Sequence, residues 1–188
     1  KNQVMENYKA KQALREVMAL RKKEYSKIIL SELSGQIMAK LEQTELFINA
    51  SCVALYHAIP GEVQTAGFIE KWYKKKKILL PVIEGNDLKL LPYTGTDELK
   101  IGTFGILEPT SVNETTDEKN IDLIIIPGVA FDRQRNRLGR GKGYYDRLLS
   151  TLTVPKIGIC FGFQLENKIP TEPFDKRMDY IITENEII

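Results

Sequence analysis

One segment in the carboxyl-terminal half of the chain combines closely spaced glycines with a cluster of positive charges. It has the sequence Asn136-Arg-Leu-Gly-Arg-Gly-Lys-Gly-Tyr-Tyr-Asp146, with glycines at positions 139, 141 and 143. Glycines let the backbone turn tightly and bring N–H groups close to an anion. The side chains of Arg137, Arg140 and Lys142 add positive charge. These residue types at this spacing predict a cradle for phosphate groups.

The position of this segment in the chain favours the same interpretation. It follows a continuous apolar run at 121–126, which is typical of a buried parallel strand, and leads into a helix predicted at 143–152. Parallel α/β sheets bind ligands at the carboxyl ends of their strands, and the amino terminus of a helix attracts anions. We therefore expect a phosphate site between a strand and a helix.

The segment departs from two well-known glycine-rich phosphate motifs. A P-loop requires glycine and then Ser or Thr where this chain has Asn136 and Gly143, and Tyr144 replaces the third glycine of the dinucleotide-binding pattern. Without the P-loop hydroxyl, a magnesium ion needs another oxygen ligand. Asp146 follows Lys142 by one helical turn and can face the same phosphates. The alternative is that Asp146 is a first-turn acid that only stabilises the helix dipole.

Helices and strands alternate along the chain and must position this segment. The apolar spacing predicts helices at 5–22, 24–43, 64–76 and 143–152, and strands at 51–57, 78–83, 87–93, 121–126, 155–161 and 179–183. Residues 94–120, rich in Thr, Gly, Asn and acids, predict a long surface loop. The alternation predicts an α/β fold: a single three-layer α/β/α domain over residues 1–188, with a mostly parallel sheet and an N-terminal helical segment.

Composition excludes several classes of protein. Of 188 residues, 43% are hydrophobic and 28% are charged, which argues against disorder. No apolar run reaches the roughly 18 residues that a membrane span requires. Cys52 and Cys160 lie in apolar runs and predict buried thiols in a reducing compartment. With no signal-peptide pattern at the start, we expect a cytoplasmic protein, not a secreted, membrane or fibrous one.

The net charge is only +2, but the positive charge is concentrated in two segments. Residues 1–27 contain eight Lys or Arg and three Glu, and residues 133–142 contain five cations and no acid. Two basic segments in a nearly neutral chain favour a local anion site over a broad nucleic-acid surface, although they can also be two solvated faces. A nucleic-acid-binding module that uses the Arg/Gly-rich segment is the alternative. We expect neither nucleic acid nor membrane as a partner.

Several motifs together resemble the 5-formyltetrahydrofolate cyclo-ligases, also called 5,10-methenyltetrahydrofolate synthetases. The glycine-rich segment, preceded by Pro127-Gly128 and Phe131-Asp132, is similar to the signature of that family. Three outlying elements also match, namely Lys11-x-x-Leu14-Arg15 with Arg21, Gly61-Glu62-Val63-x-Thr65, and a closing pattern of Pro170-x-Glu172-Pro173-x-Asp175 and Asp179-Tyr-Ile-Ile-Thr183. Their order and spacing agree with the family over nearly the whole chain.

The resemblance implies an ATP- and magnesium-dependent ligase. Such an enzyme makes 5,10-methenyltetrahydrofolate from 5-formyltetrahydrofolate and releases ADP and phosphate. The γ-phosphoryl group of ATP moves to the formyl oxygen, N10 attacks the formyl carbon, and phosphate leaves. Phosphoryl transfer depends on positioning and on neutralising charge, so no covalent nucleophile is needed. A protein that binds folate or nucleotide but has lost catalysis is the alternative.

The family's functional residues transfer to matching positions of this chain. The resemblance assigns nucleotide binding to Lys11, Arg15, Arg137, Leu138, Gly139, Arg140, Gly141, Lys142, Gly143, Tyr144 and Tyr145, with Arg140 and Lys142 as catalytic residues. It assigns folate binding to His57, Glu62, Arg140, Gly141, Lys142, Gly143 and Tyr144. It assigns magnesium binding to Asp146 and Asp175, with Asp179 as the alternative to Asp175.

Some of these residues also have simpler interpretations. Lys11 and Arg15 lie one helical turn apart, so they can grip one polyphosphate or form a solvated helix face. Glu62 can accept hydrogen bonds from the pterin N3–H and 2-amino group, or remain a loop or helix-capping glutamate. His57 replaces an apolar residue of the family, so it is a pocket wall or a strand-end residue and not a catalytic base. Trp72 is expected to pack in the core.

Overall fold

The computed structural model describes residues 2–96, 99–110 and 118–188. Within these ranges the α-helices are α1 (Asn2–Lys22), α2 (Lys27–Glu42), α3 (Glu45–Asn49), α4 (Ala66–Trp72) and α5 (Tyr144–Thr151). The strands are β1 (Cys52–Ala54), β2 (Lys77–Glu84), β3 (Asp87–Pro92), β4 (Leu99–Ile101), β5 (Leu107–Pro109), β6 (Leu123–Ile126), β7 (Ala130–Asp132), β8 (Arg137–Leu138), β9 (Lys156–Ile159), β10 (Leu165–Glu166) and β11 (Tyr180–Ile182).

A six-stranded sheet with the order β11-β9-β6-β1-β2-β3 forms the centre of the fold. Its first five strands are parallel, and β3 pairs antiparallel with β2 in a hairpin. Pro81 lies beyond the part of β2 that pairs with β1, and Pro92 lies on the edge strand β3. Both prolines therefore occupy positions where the missing N–H group breaks no central ladder.

Helices cover both faces of this sheet because successive residues of its buried strands point to opposite sides. Val53 packs with Phe47 and other apolar residues of α2, α3 and α4. The next residue, Ala54, packs with Leu148 and Leu149 of α5 on the other face. Strands buried on both faces explain why the central segments are continuously apolar. The predicted α/β fold, with its mostly parallel sheet and N-terminal helices, is confirmed.

Two helix boundaries depend on hydroxyl caps that the apolar pattern did not reveal. α2 begins at Lys27 and not near residue 24, because the Ser26 hydroxyl accepts a hydrogen bond from the N–H of Ile29 (3.2 Å). The short helix α3 was not predicted. Its cap is Thr44, whose hydroxyl accepts a hydrogen bond from the N–H of Phe47 (3.2 Å). Five residues are too few to establish a helical period.

The predicted surface loop at 94–120 contains regular structure in its described part. β4 and β5 pair antiparallel, and short 3-10 turns occupy Thr103–Gly105 and Glu118–Asn120. Glu108 of β5 is buried, and its carboxylate accepts a hydrogen bond from the N–H of Ile83 (3.2 Å). Because the buried residue at position 108 is an acid, the sequence lacks the alternation of apolar and polar residues that would indicate a strand. Residues 97, 98 and 111–117 of this prediction lie outside the described residues.

Several regular elements are shorter than predicted, and three of them border the site. The strands expected at 51–57 and 155–161 end at Ala54 and Ile159, and the helix expected at 64–76 is Ala66–Trp72. The residues that follow β1 and β9 leave the ladder at the carboxyl edge of the sheet. This edge is where parallel sheets bind ligands.

Several predictions about buried residues are confirmed. Cys52 and Cys160 are buried free thiols, and burial raises the pKa of each. Trp72 packs against Phe47 and Phe68 in the core. Among the helices that the structure describes, none combines the length and the apolar character needed to cross a membrane.

Candidate functional site

The glycine-rich segment follows a hairpin that one buried carboxylate holds in place. β7 and β8 pair antiparallel and join β10 in a small sheet, and none of these three short strands was predicted. Asp132 at the end of β7 is fully buried. Its Oδ1 accepts hydrogen bonds from the N–H groups of Gln134 and Asn136 (2.9 Å each), and its Oδ2 accepts one from the N–H of Ile169 (3.0 Å). Asp132 therefore fixes the turn that leads into the segment.

Arg137 lies beneath the segment, half-buried, and does not point into solvent. Its Nε donates a hydrogen bond to the carbonyl of Pro127 (2.7 Å), and its guanidinium lies 4.9 Å from the centre of the Tyr145 ring. Burial lowers the pKa of Arg137, and the negative charge of Asp146 opposes this change. Burial also raises the pKa of Tyr145, so its hydroxyl stays protonated. This buried cation lies under the loop where anions are expected.

The loop itself ends at Gly143, which precedes α5 in a left-handed conformation (φ +73°). Such a conformation suits glycine and lets the chain enter the helix directly. Helix α1 packs against the same loop, because Arg15 Nε donates a hydrogen bond to the carbonyl of Gly139 (2.9 Å). The Arg15 guanidinium also lies over Gly141. Arg15 and the glycine-rich segment, both assigned to nucleotide binding by the resemblance, therefore lie side by side.

The two cations at the centre of the loop differ in their surroundings. Lys142 is exposed and forms no hydrogen bond or ion pair with any residue that the structure describes. Arg140 forms an ion pair with Glu62 (3.2 Å between Nη2 and Oε1). The other carboxylate oxygen of Glu62 accepts a hydrogen bond from the N–H of Ile59 (3.1 Å). The fold therefore brings the loop into contact with Glu62, the residue whose carboxylate is predicted to bind the pterin.

His57 lies between the end of β1 and this carboxylate, where the chain has left the sheet. Its side chain is half-buried. Burial lowers the pKa of His57, and a hydrogen bond with the backbone of Ala58 offsets this only in part. The imidazole is therefore neutral at pH 7, which suits a pocket wall better than an anion site.

Lys11 and Asp175, predicted for nucleotide and metal, contact each other. The Lys11 ammonium lies 2.7 Å from Asp175 Oδ2 and 2.9 Å from Glu172 Oε2. Lys11 is buried, so it does not belong to a solvated helix face. Burial lowers the pKa of Lys11, but its hydrogen bonds with Asp175 and Glu172 outweigh burial, and the pKa is raised.

The carboxylates proposed for metal binding come from two separate elements. Asp146 Oδ1 accepts a hydrogen bond from the N–H of Lys176 (3.3 Å), so Asp146 lies beside the residue that follows Asp175. Asp179 is elsewhere. Its Oδ2 accepts a hydrogen bond from the N–H of Lys156 (2.8 Å), at the amino ends of β9 and β11. Of the two candidate partners, only Asp175 neighbours Asp146.

The whole-chain comparisons agree with the motifs. A family model described as the 5-formyltetrahydrofolate cyclo-ligase family matches residues 7–184. The chain belongs to this family. The 5-formyltetrahydrofolate cyclo-ligase of Mycoplasma pneumoniae is 31% identical over 181 residues, which cover 93% of this chain and 98% of that protein. The cyclo-ligase of Escherichia coli K12 is 30% identical over 164 residues, or 83% and 90% of the two chains.

A solved structure superposes on this chain over most of its length. The NMR structure of the Aquifex aeolicus 5,10-methenyltetrahydrofolate synthetase superposes with a TM-score of 0.86 at 34% identity, covering 94% of this chain and 91% of the other. The resemblance seen in the motifs and the predicted ligase class are therefore confirmed.

Two residues of the cyclo-ligase signature have surroundings that the sequence did not reveal. The Leu138 side chain is buried with Met18 and Ile169, so only its backbone can face a nucleotide. The Tyr144 ring has the Arg147 guanidinium 5.4 Å from its centre.

Sequence reasoning also missed two contributors to the site. The sequence indicated Asp132 only as a member of the signature, and Glu172 only as a member of the closing pattern, with no role for either side chain. An acid next to a buried phenylalanine and followed by polar residues is a usable signal for an Asx-type turn such as that of Asp132. No comparable sequence signal marks Glu172, because its partner Lys11 lies 161 residues away.

Proposed function

We propose that the protein converts 5-formyltetrahydrofolate to 5,10-methenyltetrahydrofolate while ATP is converted to ADP and phosphate. The ion pair between Arg140 and Glu62 carries this proposal, because it brings the phosphate cradle against the carboxylate expected to bind the pterin. The family membership of residues 7–184 supports it. We also propose that residues 1–188 act as one catalytic domain, since the site draws on both Lys11 and Asp175.

The reaction needs an activated oxygen. A formamide oxygen is a poor leaving group, so N10 cannot displace it directly. In the proposed reaction the formyl oxygen takes the γ-phosphoryl group of ATP and ADP leaves. N10 then attacks the formyl carbon, and phosphate departs with the former formyl oxygen. Negative charge on the transferred group must be held in place throughout, which is a task for fixed cations and N–H donors.

Lys142 and Arg140 are the residues that we propose act on the transferred group. Lys142 is exposed and has no described partner, so a phosphate can bind it without displacing a carboxylate. The backbone of Gly141 and Gly143 and the amino terminus of α5 supply N–H donors beside it. Arg15 adds a guanidinium over the same loop.

Asp146 and Asp175 are the residues that would hold magnesium. They provide carboxylate oxygens, and the described residues contain no group of three or more acidic, His or Cys side chains that could enclose a metal. This donor set fits magnesium, which usually binds one or two carboxylates together with water and phosphate oxygens. The ion would neutralise charge on the nucleotide phosphates.

Glu62 and His57 would form the folate side of the site. Glu62 is anchored through Oε2 by the N–H of Ile59, which keeps Oε1 free to meet an incoming donor once Arg140 moves. A carboxylate in this position can accept hydrogen bonds from the pterin N3–H and 2-amino group. Neutral His57 would contribute part of the wall.

The absorbance of the methenyl product tests this function directly. Purified protein is mixed with 5-formyltetrahydrofolate, magnesium and ATP, and parallel samples lack either ATP or magnesium. We expect the product chromophore only in the complete mixture. Binding of both ligands without turnover would favour the inactive binding protein. Tight binding of an oligonucleotide in place of ATP would favour the nucleic-acid module.

A further inference from the structure

The Lys22 side chain lies over Gly61, next to the carboxylate proposed to bind the pterin. A Cβ atom at position 61 would lie only 2.7 Å from Lys22 Cδ and 3.1 Å from Lys22 Nζ. Gly61 also has a φ of +86°, which residues with a Cβ atom rarely adopt. Glycine at this position therefore makes room for the lysine at the end of α1.

Glu62 has one paired cation and a second cation nearby. Arg140 pairs directly with Oε1 at 3.2 Å. Burial lowers the pKa of Lys22, the positive charge of Arg140 lowers it further, and the negative charge of Glu62 raises it. Lys22 is therefore close enough to Glu62 for an electrostatic interaction, but Arg140 is the residue that forms the ion pair.

Arg140 and Lys22 differ in what else they can bind. The Arg140 side chain is 57% exposed and belongs to the loop expected to receive phosphates. A polyphosphate carries more negative charge than a single carboxylate and accepts charge-assisted hydrogen bonds from a guanidinium, so we expect it to attract Arg140. Lys22 is half-buried against Gly61, the residue that precedes Glu62.

The departure of Arg140 would leave Glu62 in a poor environment. Only 14% of the Glu62 side chain is exposed. A largely buried carboxylate without a cation is unfavourable, and it tends to move toward water. That movement would spoil it as an acceptor for the pterin.

We propose that Lys22 is a positioning residue for the folate, which holds Glu62 in place when Arg140 turns to the nucleotide. The inference rests on the proposed function. Lys22 does not touch the reacting atoms and acts only through Glu62. The ammonium keeps Oε1 available to the pterin, while the N–H of Ile59 anchors Oε2.

A purely structural role for Lys22 makes a different prediction. Lysine can cover a glycine with its aliphatic carbons and keep its ammonium in water. In that case the contact depends on the CH2 groups and not on the charge. Removing the charge alone would then leave the affinity for folate unchanged.

Lys22→Met tests the charge, because methionine keeps the aliphatic cover over Gly61. Lys23→Met is the matched control, since Lys23 is the exposed neighbour on the same turn. Lys22→Arg retains a cation. The dissociation constant of 5-formyltetrahydrofolate is measured by calorimetry with magnesium and a non-hydrolysable ATP analogue present. We expect Lys22→Met to bind folate about tenfold more weakly than Lys23→Met, as for loss of a charged interaction.

Further measurements on the same variants decide between the two roles. The affinity for the ATP analogue should not change in Lys22→Met, and Lys22→Arg should bind folate like the parent protein. The inference is overturned if Lys22→Met and Lys23→Met bind folate equally, or if Lys22→Arg binds it as weakly as Lys22→Met. If the parent protein binds no 5-formyltetrahydrofolate at all, the proposed function itself fails and the inference fails with it.

Discussion

The two halves of the candidate site hold their charges in opposite ways. The open half, residues 139–143, presents Lys142 in an exposed position without a described partner. The closed half consists of Lys11, Glu172 and Asp175, in which the one ammonium pairs with both carboxylates. Their side chains are only 11%, 17% and 9% exposed.

This difference separates residues that are ready for a ligand from residues that must exchange partners. A phosphate needs only to displace water from Lys142. To reach Lys11, it must replace two carboxylates that already satisfy the ammonium. Loss of the Lys142 charge should therefore lower the reaction rate and leave the free energy of unfolding unchanged. Loss of charge in the closed half should lower the stability of the ligand-free protein.

The largest expected effect is on the rate of the open-half variant Lys142→Ala. We expect the turnover rate to fall about 100-fold or more, because a fixed charge acts mainly as phosphoryl transfer proceeds. The melting temperature and the affinity for folate should change little. Lys168→Ala, at an exposed lysine outside the site, is the control. Near-parental turnover of Lys142→Ala would show that the open half does not hold the transferred group.

A smaller effect is expected at Asp146, which borders both halves. Asp146→Asn keeps the size of the side chain and removes the charge that a hard cation prefers. We expect the magnesium concentration at half-maximal rate to rise about tenfold, as for a lost metal contact. If Asp146 acts only as a first-turn acid, it would contribute about 0.3–1 kcal/mol to the free energy of unfolding through the helix dipole.

Two curves distinguish these roles of Asp146. The rate is measured against magnesium concentration, and the metal-free protein is melted in parallel. An unchanged magnesium curve together with a lower melting temperature would remove Asp146 from the metal site. Asp175 would then be the remaining carboxylate, and the open half would function without a metal contact of its own.

The open half of the site was largely predictable from the sequence. Its residues are contiguous, so glycine spacing and charge type describe the loop before any fold is known. The buried strands were predictable for a similar reason, since residues 123–126 are apolar on both faces. Local patterns describe local structure.

The closed half was not predictable in the same way. Lys11 and Asp175 were assigned to nucleotide and metal, and nothing local showed that they pair across 164 residues. The position of Lys22 over Gly61 and the hydrogen bond from the N–H of Ile169 to Asp132 are also long-range. The hidden β4–β5 pair was missed because Glu108 is a buried acid where an apolar residue is expected.

The smallest expected effect concerns the ligand-free stability of the closed half. Lys11→Met removes the ammonium and leaves Glu172 and Asp175 without their shared donor. We expect a loss of about 1 kcal/mol at pH 7, at the low end for unsatisfied buried acceptors, because water can reach Glu172. Lys9→Met, at an exposed position of the same helix, is the control. Equal stability of the two variants would mean that the ion pairs of Lys11 with Glu172 and Asp175 contribute nothing to the free energy of unfolding.

The pH dependence of this difference identifies its cause. The pKa of Lys11 is raised in the folded protein above its ordinary value of 10.5. A group whose pKa is raised by folding stabilises the protein fully below its unfolded pKa, and this contribution disappears as the pH rises through the folded value. The difference in the free energy of unfolding between Lys9→Met and Lys11→Met should therefore be constant up to about pH 10. It should shrink above pH 10.5. Urea unfolding of both variants from pH 7 to the alkaline limit of reversibility measures it. A gap that persists unchanged above pH 10.5 would mean that packing, and not charge, holds the closed half together.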